Sequence, residues 1–250
     1  MALEWRIFCL DTIDKAPIPG CFGSAGVQTY LDWLIAAWGQ TIMVAGLSLV
    51  VALVVGSLIG ILRTLPDSPV LSRLAMVWVE FFRNIPLLVQ IFLWYHVVPV
   101  LLPFVADTPK LMLVVMGLGL FTSARIAEQV RAGVQSLPRG QRYAAMAVGF
   151  TTPQAYRYVL LPMAYRIIIP PLTSESMNIF KNSSVAFAVS IMELTFFAQQ
   201  AGEETSRGIE IYMGVTLLYI ISALTINRIM AFIERRVRVP GLVVSPGGGH

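Results

Sequence analysis

The sequence predicts an all-α integral membrane protein with five transmembrane helices, its N-terminus outside and its C-terminus in the cytoplasm. Three observations carry this expectation. Of the 250 residues, 56% are hydrophobic and only 13% charged, against about a quarter charged in a soluble domain. The apolar residues are bunched: no Asp, Glu, Lys or Arg occurs from Trp33 to Leu62 or from Ile85 to Ala106, and each run exceeds the roughly 20 residues a helix needs to cross the hydrocarbon. The basic residues also segregate along a five-crossing path. The formal charge of +4 does not indicate nucleic acid, because the arginines sit at the ends of apolar runs and form no basic face.

Residues 1–40 are expected to form an external N-terminal segment. Glu4, Asp11 and Asp14 interrupt any apolar core between Met1 and Lys15, which argues against a signal peptide and leaves the first span as its own insertion signal. The two cysteines, Cys9 and Cys21, both fall here; a disulfide and two free thiols equally fit the sequence. The first span is expected over about Thr41–Leu62. Its Gly56 and Gly60 lie one turn apart, where they let another helix approach, either across a dimer face or, more commonly, within one chain.

The second span is expected over about Ile85–Leu102, entered through Arg83-Asn84-Ile85-Pro86, with Pro86 in the first helical turn. Its His96 reads as packed or interfacial, since no second metal-binding side chain lies within a turn or two. The third charge-free stretch, Leu111–Ala124, is too short to cross alone and must continue into Arg125, Glu128 and Arg131. Those three recur at spacing three, so they share one face that can be wet or paired. The fourth, about Ile167–Met192, carries Pro170, Pro171, Glu175, Asn178, Lys181 and Asn182, and charge topology retains it. With five crossings, the loops Arg63–Arg83 and Arg125–Arg166 and the tail from Arg228 hold 13 basic residues, and the opposite side holds Arg6, Lys15, Lys110 and Arg207. That bias places the N-terminus outside. The fifth span is about Ile211–Asn227, residues 41–240 form one transmembrane domain, and 241–250, with three consecutive glycines, form a flexible tail.

The cytoplasmic loop 138–162 reads as two short helices with a bend. Gln141–Val148 lacks helix breakers, Gly149 can adopt the left-handed conformation that closes a helix, and Thr152-Pro153 suits an N-cap and first turn. The second helix is expected to run to Leu161 and stop at Pro162. Ala144, Ala145 and Ala147 keep the first helix slender, a shape suited to a partner's groove.

Ala144-Ala145, Gly149, Val159 and Leu161-Pro162 resemble, in type and spacing, the EAA loop of ABC importer permeases. The glutamate of that pattern is replaced by Tyr143, a departure that bears on any salt bridge from this position to the ATPase. Glu80-Phe81-Phe82-Arg83-Asn84-Ile85-Pro86-Leu87-Leu88-Val89-Gln90 is similar to the start of the second span in polar amino-acid permeases, and Lys181-Asn182-Ser183-Ser184 to a polar stretch of their fourth. Arg131–Glu175 and Glu234–Arg238 look similar to the membrane subunits of bacterial glutamate/aspartate importers.

This resemblance implies the type I ABC importer permease fold in the bacterial inner membrane, with Tyr143, Ala144, Ala145, Gly149, Leu161 and Pro162 coupling to a cytoplasmic ABC ATPase dimer. It also implies a second permease subunit, homologous or identical, and an external amino-acid-binding protein. No catalytic or metal-ligating residue is expected in the chain. It lacks a G-x-x-x-x-G-K-[ST] phosphate loop, so it binds no cofactor and ATP-Mg falls to the partner.

At 100° per residue, Glu175, Asn178, Lys181 and Asn182 fall within an arc of about 120°. With Ser183 and Gln90 they are the candidate substrate path. A charge facing lipid costs roughly 3 kcal/mol, so Glu175 and Lys181 must face the bundle interior or water, lining a path or pairing as fixed glue. For an acidic substrate Lys181 supplies a counter-charge, and Asn182 in place of Asp removes a repulsive carboxylate. A secondary transporter or channel is the rival reading, but it has no use for such a loop. A membrane enzyme using Glu175, Glu193 or His96 lacks any recognisable grouping.

Overall fold

The computed structural model describes residues 3–23, 27–66 and 68–237, and these are helical apart from the N-terminal segment and the turns. The expected flexible tail, 241–250, lies outside the described residues.

Helix α1 spans Tyr30–Leu62, beginning eleven residues before the expected Thr41. The cause is a reciprocal cap: the Thr29 backbone N–H and hydroxyl donate to Asp32 Oδ2 at 3.1 and 2.9 Å, and the Asp32 N–H donates to Thr29 Oγ1 at 3.1 Å. The last residues of the expected external segment therefore belong to α1.

The stretch Arg63–Arg83, expected as a loop, instead contains α2, Pro69–Asn84. Pro69 opens it, no breaker follows, and Ala75, Val79 and Phe82 bury one face. It stops where Ile85, ahead of Pro86, is extended (φ −95°, ψ 129°). Beyond the break come α3 (Leu87–Phe92), a π turn (Leu93–Val97) and α4 (Val98–Leu101). The expected span Ile85–Leu102 thus reduces to residues 87–101, which at 1.5 Å per residue fall short of the roughly 30 Å core. They reach span length only together with α2, as a bent pair.

Helix α5, Lys110–Gln135, is continuous through Arg125, Glu128 and Arg131 as expected. Helix α6 covers Arg139–Ala147 and α7 Thr152–Ala155. The second loop helix does not stop at Pro162: α7 runs through a π turn (Tyr156–Leu160) into α8, Leu161–Asn182, and on into a 3₁₀ segment, Ser183–Val189. The widened π turn gives the proline ring room in the first turn of α8, so the usual helix breaker is absorbed. Ser190, left-handed at φ 58°, ends this run. Helix α9 (Leu194–Thr205) pairs with it across the bend, and α10 (Gly208–Val237) completes the chain. Among the described residues three helices, α1, α5 and α10, are long and apolar enough to cross a membrane unbroken, and up to five spans result if each bent pair is one.

The contacts divide the chain into two units. The first draws on Met1–Ser48, Leu87–Leu118 and Ile179–Leu224. In it a Cys9–Cys21 disulfide closes the N-terminal segment, and Ile7 is buried with Tyr30, Leu34, Phe197 and Ile211. Arg207 pairs with Glu4 at 2.8 Å, and Lys15 donates to the Tyr30 hydroxyl and the Glu204 carbonyl, so this segment is docked on α1, α9 and α10. The second unit draws on Leu49–Pro86, Gly119–Asn178 and Thr225–His250. There a Cβ on Gly56 would lie 2.7 Å from the Ser123 carbonyl oxygen, and one on Gly60 2.7 Å from that of Ala127. The Gly56/Gly60 pair is thus an internal contact between α1 and α5.

Candidate functional site

The loop 138–162 lies wholly in the second unit and is built as two helices around a glycine turn. Helix α6 closes with Gly149 at φ +93°, its N–H donating to the Met146 carbonyl. The next N-cap is Thr151, one residue earlier than expected; Gln154 accepts from its backbone N–H at 2.8 Å, and Pro153 sits in the first turn. Tyr143, Met146, Val148 and Tyr158 are exposed apolar or aromatic side chains, Val148 to 75%. Ala144, Gly149 and Pro162 are exposed, Leu161 is half-buried and Ala145 is buried. Beneath them Leu137, Tyr156, Leu160 and Ala164 pack with Ile61, Leu65 and Ile167. The Tyr156 hydroxyl donates to the Thr64 carbonyl, which ties the loop to the end of α1. The loop therefore presents apolar and aromatic side chains, interspersed with the exposed Arg139, Gln154 and Arg157, on a fixed base.

The unit boundary divides the polar stripe of α8 after Asn178. Glu175, half-buried, lies beside Arg125 of α5, 3.7 Å from its Nη1, and Asn178 is also half-buried. In the first unit Lys181 is exposed, Asn182 is half-buried, and the buried Ser183 hydroxyl donates to the Phe180 carbonyl. Gln90, also in the first unit, is buried in α3, which packs against the 3₁₀ segment Ser183–Val189.

Residues outside the sequence-derived set form an ionic cluster around Glu128. Glu128 Oε1 takes a guanidinium N–H from Arg63, and Oε2 takes the Nε and Nη2 of Arg131, both at 2.9 Å. Arg83 approaches Oε1 only to 3.8 Å. Four arginines thus face two carboxylates, Glu128 and Glu175. The spacing of Arg125, Glu128 and Arg131 marked their shared face, but Arg63 and Arg83 read only as topology determinants.

Glu193 is fully buried and caps α9. Its carboxylate accepts from the Thr195 and Phe196 N–H groups at 2.8 and 2.9 Å and from the Tyr219 hydroxyl at 3.1 Å. Thr41 Oγ1 accepts the neighbouring Leu194 N–H. Glu193 is committed to structure, and His96 packs its ring against Tyr95 and Phe92.

A family model for the binding-protein-dependent transport system inner membrane component matches residues 52–239, which include the loop and all of α8. The chain is 44% identical over 248 residues to the glutamate/aspartate import permease protein GltJ of Escherichia coli (strain K12), covering 95% of this chain and 96% of that one. It is 34% identical over 202 residues to the probable glutamine ABC transporter permease protein GlnM of Bacillus subtilis (strain 168), covering 79% and 90%. A crystal structure of an amino acid ABC transporter with histidines superposes with a TM-score of 0.71 at 29% identity, over 83% of this chain and 95% of that chain. An inward-facing MetNI methionine ABC transporter shares the fold, with a TM-score of 0.74 at 23% identity over 84% and 98%. The chain belongs to the family of binding-protein-dependent transport system inner membrane components, the permease subunits of ABC importers.

Proposed function

We propose that this chain moves glutamate and aspartate inward as one permease of an ABC importer. The observation that carries the reading is the 44% identity to GltJ over 95% of the chain. The chain then makes five crossings with its N-terminus outside, each bent pair counting as one span. A second permease completes the path, a cytoplasmic ATPase dimer binds ATP-Mg, and an external binding protein delivers the cargo.

The loop 138–162 docks the ATPase through its exposed side chains, Tyr143, Val148 and Tyr158 among them. Because α7, the π turn and α8 form one continuous helical run, with Pro170 and Pro171 inside it but no intervening turn, a displacement at Thr152 is passed along the helix toward Glu175 and Asn178. Tyr156 carries the same displacement to the end of α1. ATP binding must favour one arrangement of these helices over the other, since only differential affinity shifts a two-state equilibrium. The polar stripe Glu175, Asn178, Lys181 and Asn182, with Ser183 and Gln90, lines the path, where its acid, base and amides meet the ammonium and carboxylates of the cargo.

Reconstitution of the full importer in proteoliposomes tests this reading. ATP-dependent accumulation of labelled glutamate and aspartate is expected. Accumulation of neutral or basic amino acids alone would overturn the substrate, and uptake independent of ATP would overturn the coupling.

A further inference from the structure

A cavity of about 440 Å³ in the second unit is lined by Arg83, Phe121, Arg125, Glu128, Gln129 and Glu175, a volume within the roughly 300–1,000 Å³ range of small-molecule sites. We infer that this cavity seats the cargo in transit, with Arg83 and Arg125 holding its two carboxylates and thereby setting acidic specificity. The inference rests on the proposed glutamate/aspartate transport and names the residues that would select for it.

The donors come first. Glu128 is already satisfied, by Arg63 on one oxygen and the fork of Arg131 on the other, so Arg83 at 3.8 Å is surplus to it. Arg125 stands 3.7 Å from Glu175, longer than a hydrogen bond. Both side chains keep about half their surface open, 50% for Arg83 and 44% for Arg125. Each guanidinium offers a planar fork matched to a carboxylate. The Phe121 ring, 5.2 Å from the Arg125 guanidinium carbon, helps hold that group in place.

The acceptors are complementary. Glu175 Oε2 and Gln129 Oε1 are buried and, among the described residues, have no hydrogen-bond partner, a costly state that an incoming donor relieves. Two guanidinium forks held only by long ion pairs, Arg83 to Glu128 and Arg125 to Glu175, and two acceptors that receive no hydrogen bond suit a ligand with two carboxylates and one ammonium. An acidic α-amino acid is that ligand. Inorganic anions bring no donor for Glu175 and Gln129, glutamine replaces one carboxylate by a neutral amide, and a basic side chain would bring a second cation among the arginines.

The test uses the complete importer in proteoliposomes with Arg83→Gln and Arg125→Gln, measuring labelled glutamate uptake beside ATP hydrolysis stimulated by the loaded binding protein. A residue that touches only the cargo leaves the stimulated hydrolysis intact. Glutamate uptake is expected to fall about tenfold or more in each variant, with hydrolysis kept within about twofold. Uptake and hydrolysis falling together would show a structural role and overturn the inference, as would uptake unchanged. Should Arg125→Gln fail to assemble, Arg83→Gln decides, because its removal leaves Glu128 fully paired. A parent importer that moves no glutamate would sink the transport reading itself, an outcome distinct from parental transport that the two variants leave intact.

Discussion

At Gly149 the backbone sits at φ +93°, and a Cβ built there meets nothing within 4 Å, so the position requires glycine through conformation alone. A left-handed conformation costs a residue with a Cβ roughly 1–2 kcal/mol, and β-branched side chains pay most. Since about 1.4 kcal/mol is tenfold in a population, Gly149→Val should empty the bent state of the loop and lower uptake at least about tenfold. Gly149→Asn, which tolerates left-handed backbone better, should fall between it and the parent. Membrane insertion of both variants should be normal, and co-purification of the ATPase should follow uptake. A well-expressed Gly149→Val with parental transport would remove the loop from the coupling machinery. This glycine was legible in the sequence because a turn had to separate two short helices there. Ser190, which ends the long run through α8 in the same left-handed region at φ 58°, gave no such signal, because serine is ordinary in many conformations.

At the scale of elements, α1 and α5 approach closely because Gly56 and Gly60 lack side chains. A single added methyl would sit 2.7 Å from a backbone oxygen at either position, so Gly56→Ala and Gly60→Ala must push the helices apart at a cost of about 1–3 kcal/mol each. Gly46, on the same helix, has nothing within 4 Å of its would-be Cβ, and Gly46→Ala should be neutral or slightly stabilising. Thermal unfolding of the detergent-purified complex is expected to show a lower Tm for the first two variants and an unchanged one for the third. If Gly56→Ala instead separates the two permeases without lowering Tm, the glycines serve a dimer face. Helices α1 and α10 were legible because long charge-free runs allow few alternatives in a bilayer, and α5 because the spacing of Arg125, Glu128 and Arg131 let its short apolar run continue as one amphipathic helix. Helix α2 was not, because Arg73, Glu80 and Arg83 made Arg63–Arg83 read as a polar loop while Ala75, Val79 and Phe82 bury a single face. The length of the fourth helical run was hidden by Pro162, whose helix-breaking effect depends on a neighbouring π turn that no residue type announces. Of the candidate site, the loop was readable from its turn residues. The pairing of Arg63 and Arg83 with Glu128 was not, since it joins three elements far apart in the chain.

For the molecule as a whole, two independent features favour the same orientation. Five crossings leave thirteen basic residues on one side and four on the other, whereas three crossings, through α1, α5 and α10 alone, would leave ten against eight. Only the five-crossing path has the asymmetry by which membrane proteins orient. The second feature is the Cys9–Cys21 disulfide; disulfides persist outside the cytoplasm and are rare within it, which favours the outer face for the N-terminal segment without reference to charge. In intact cells a membrane-impermeant maleimide is therefore expected to leave the parent chain unlabelled, and to label both Cys9 and Cys21 once an external reductant has opened the bond. Ser136, exposed between α5 and α6, is expected on the other side under the five-crossing proposal. Introduced as Ser136→Cys in a chain that also carries Cys9→Ser and Cys21→Ser, its thiol should react only after the membrane is permeabilised. Labelling at Ser136→Cys in sealed cells, with Cys9 and Cys21 reached only after permeabilisation, would invert the topology and move the loop away from any cytoplasmic ATPase. Labelling of both sites from outside would mean an even number of crossings between them, so that the bent pair of α2 with α3 and α4 does not span.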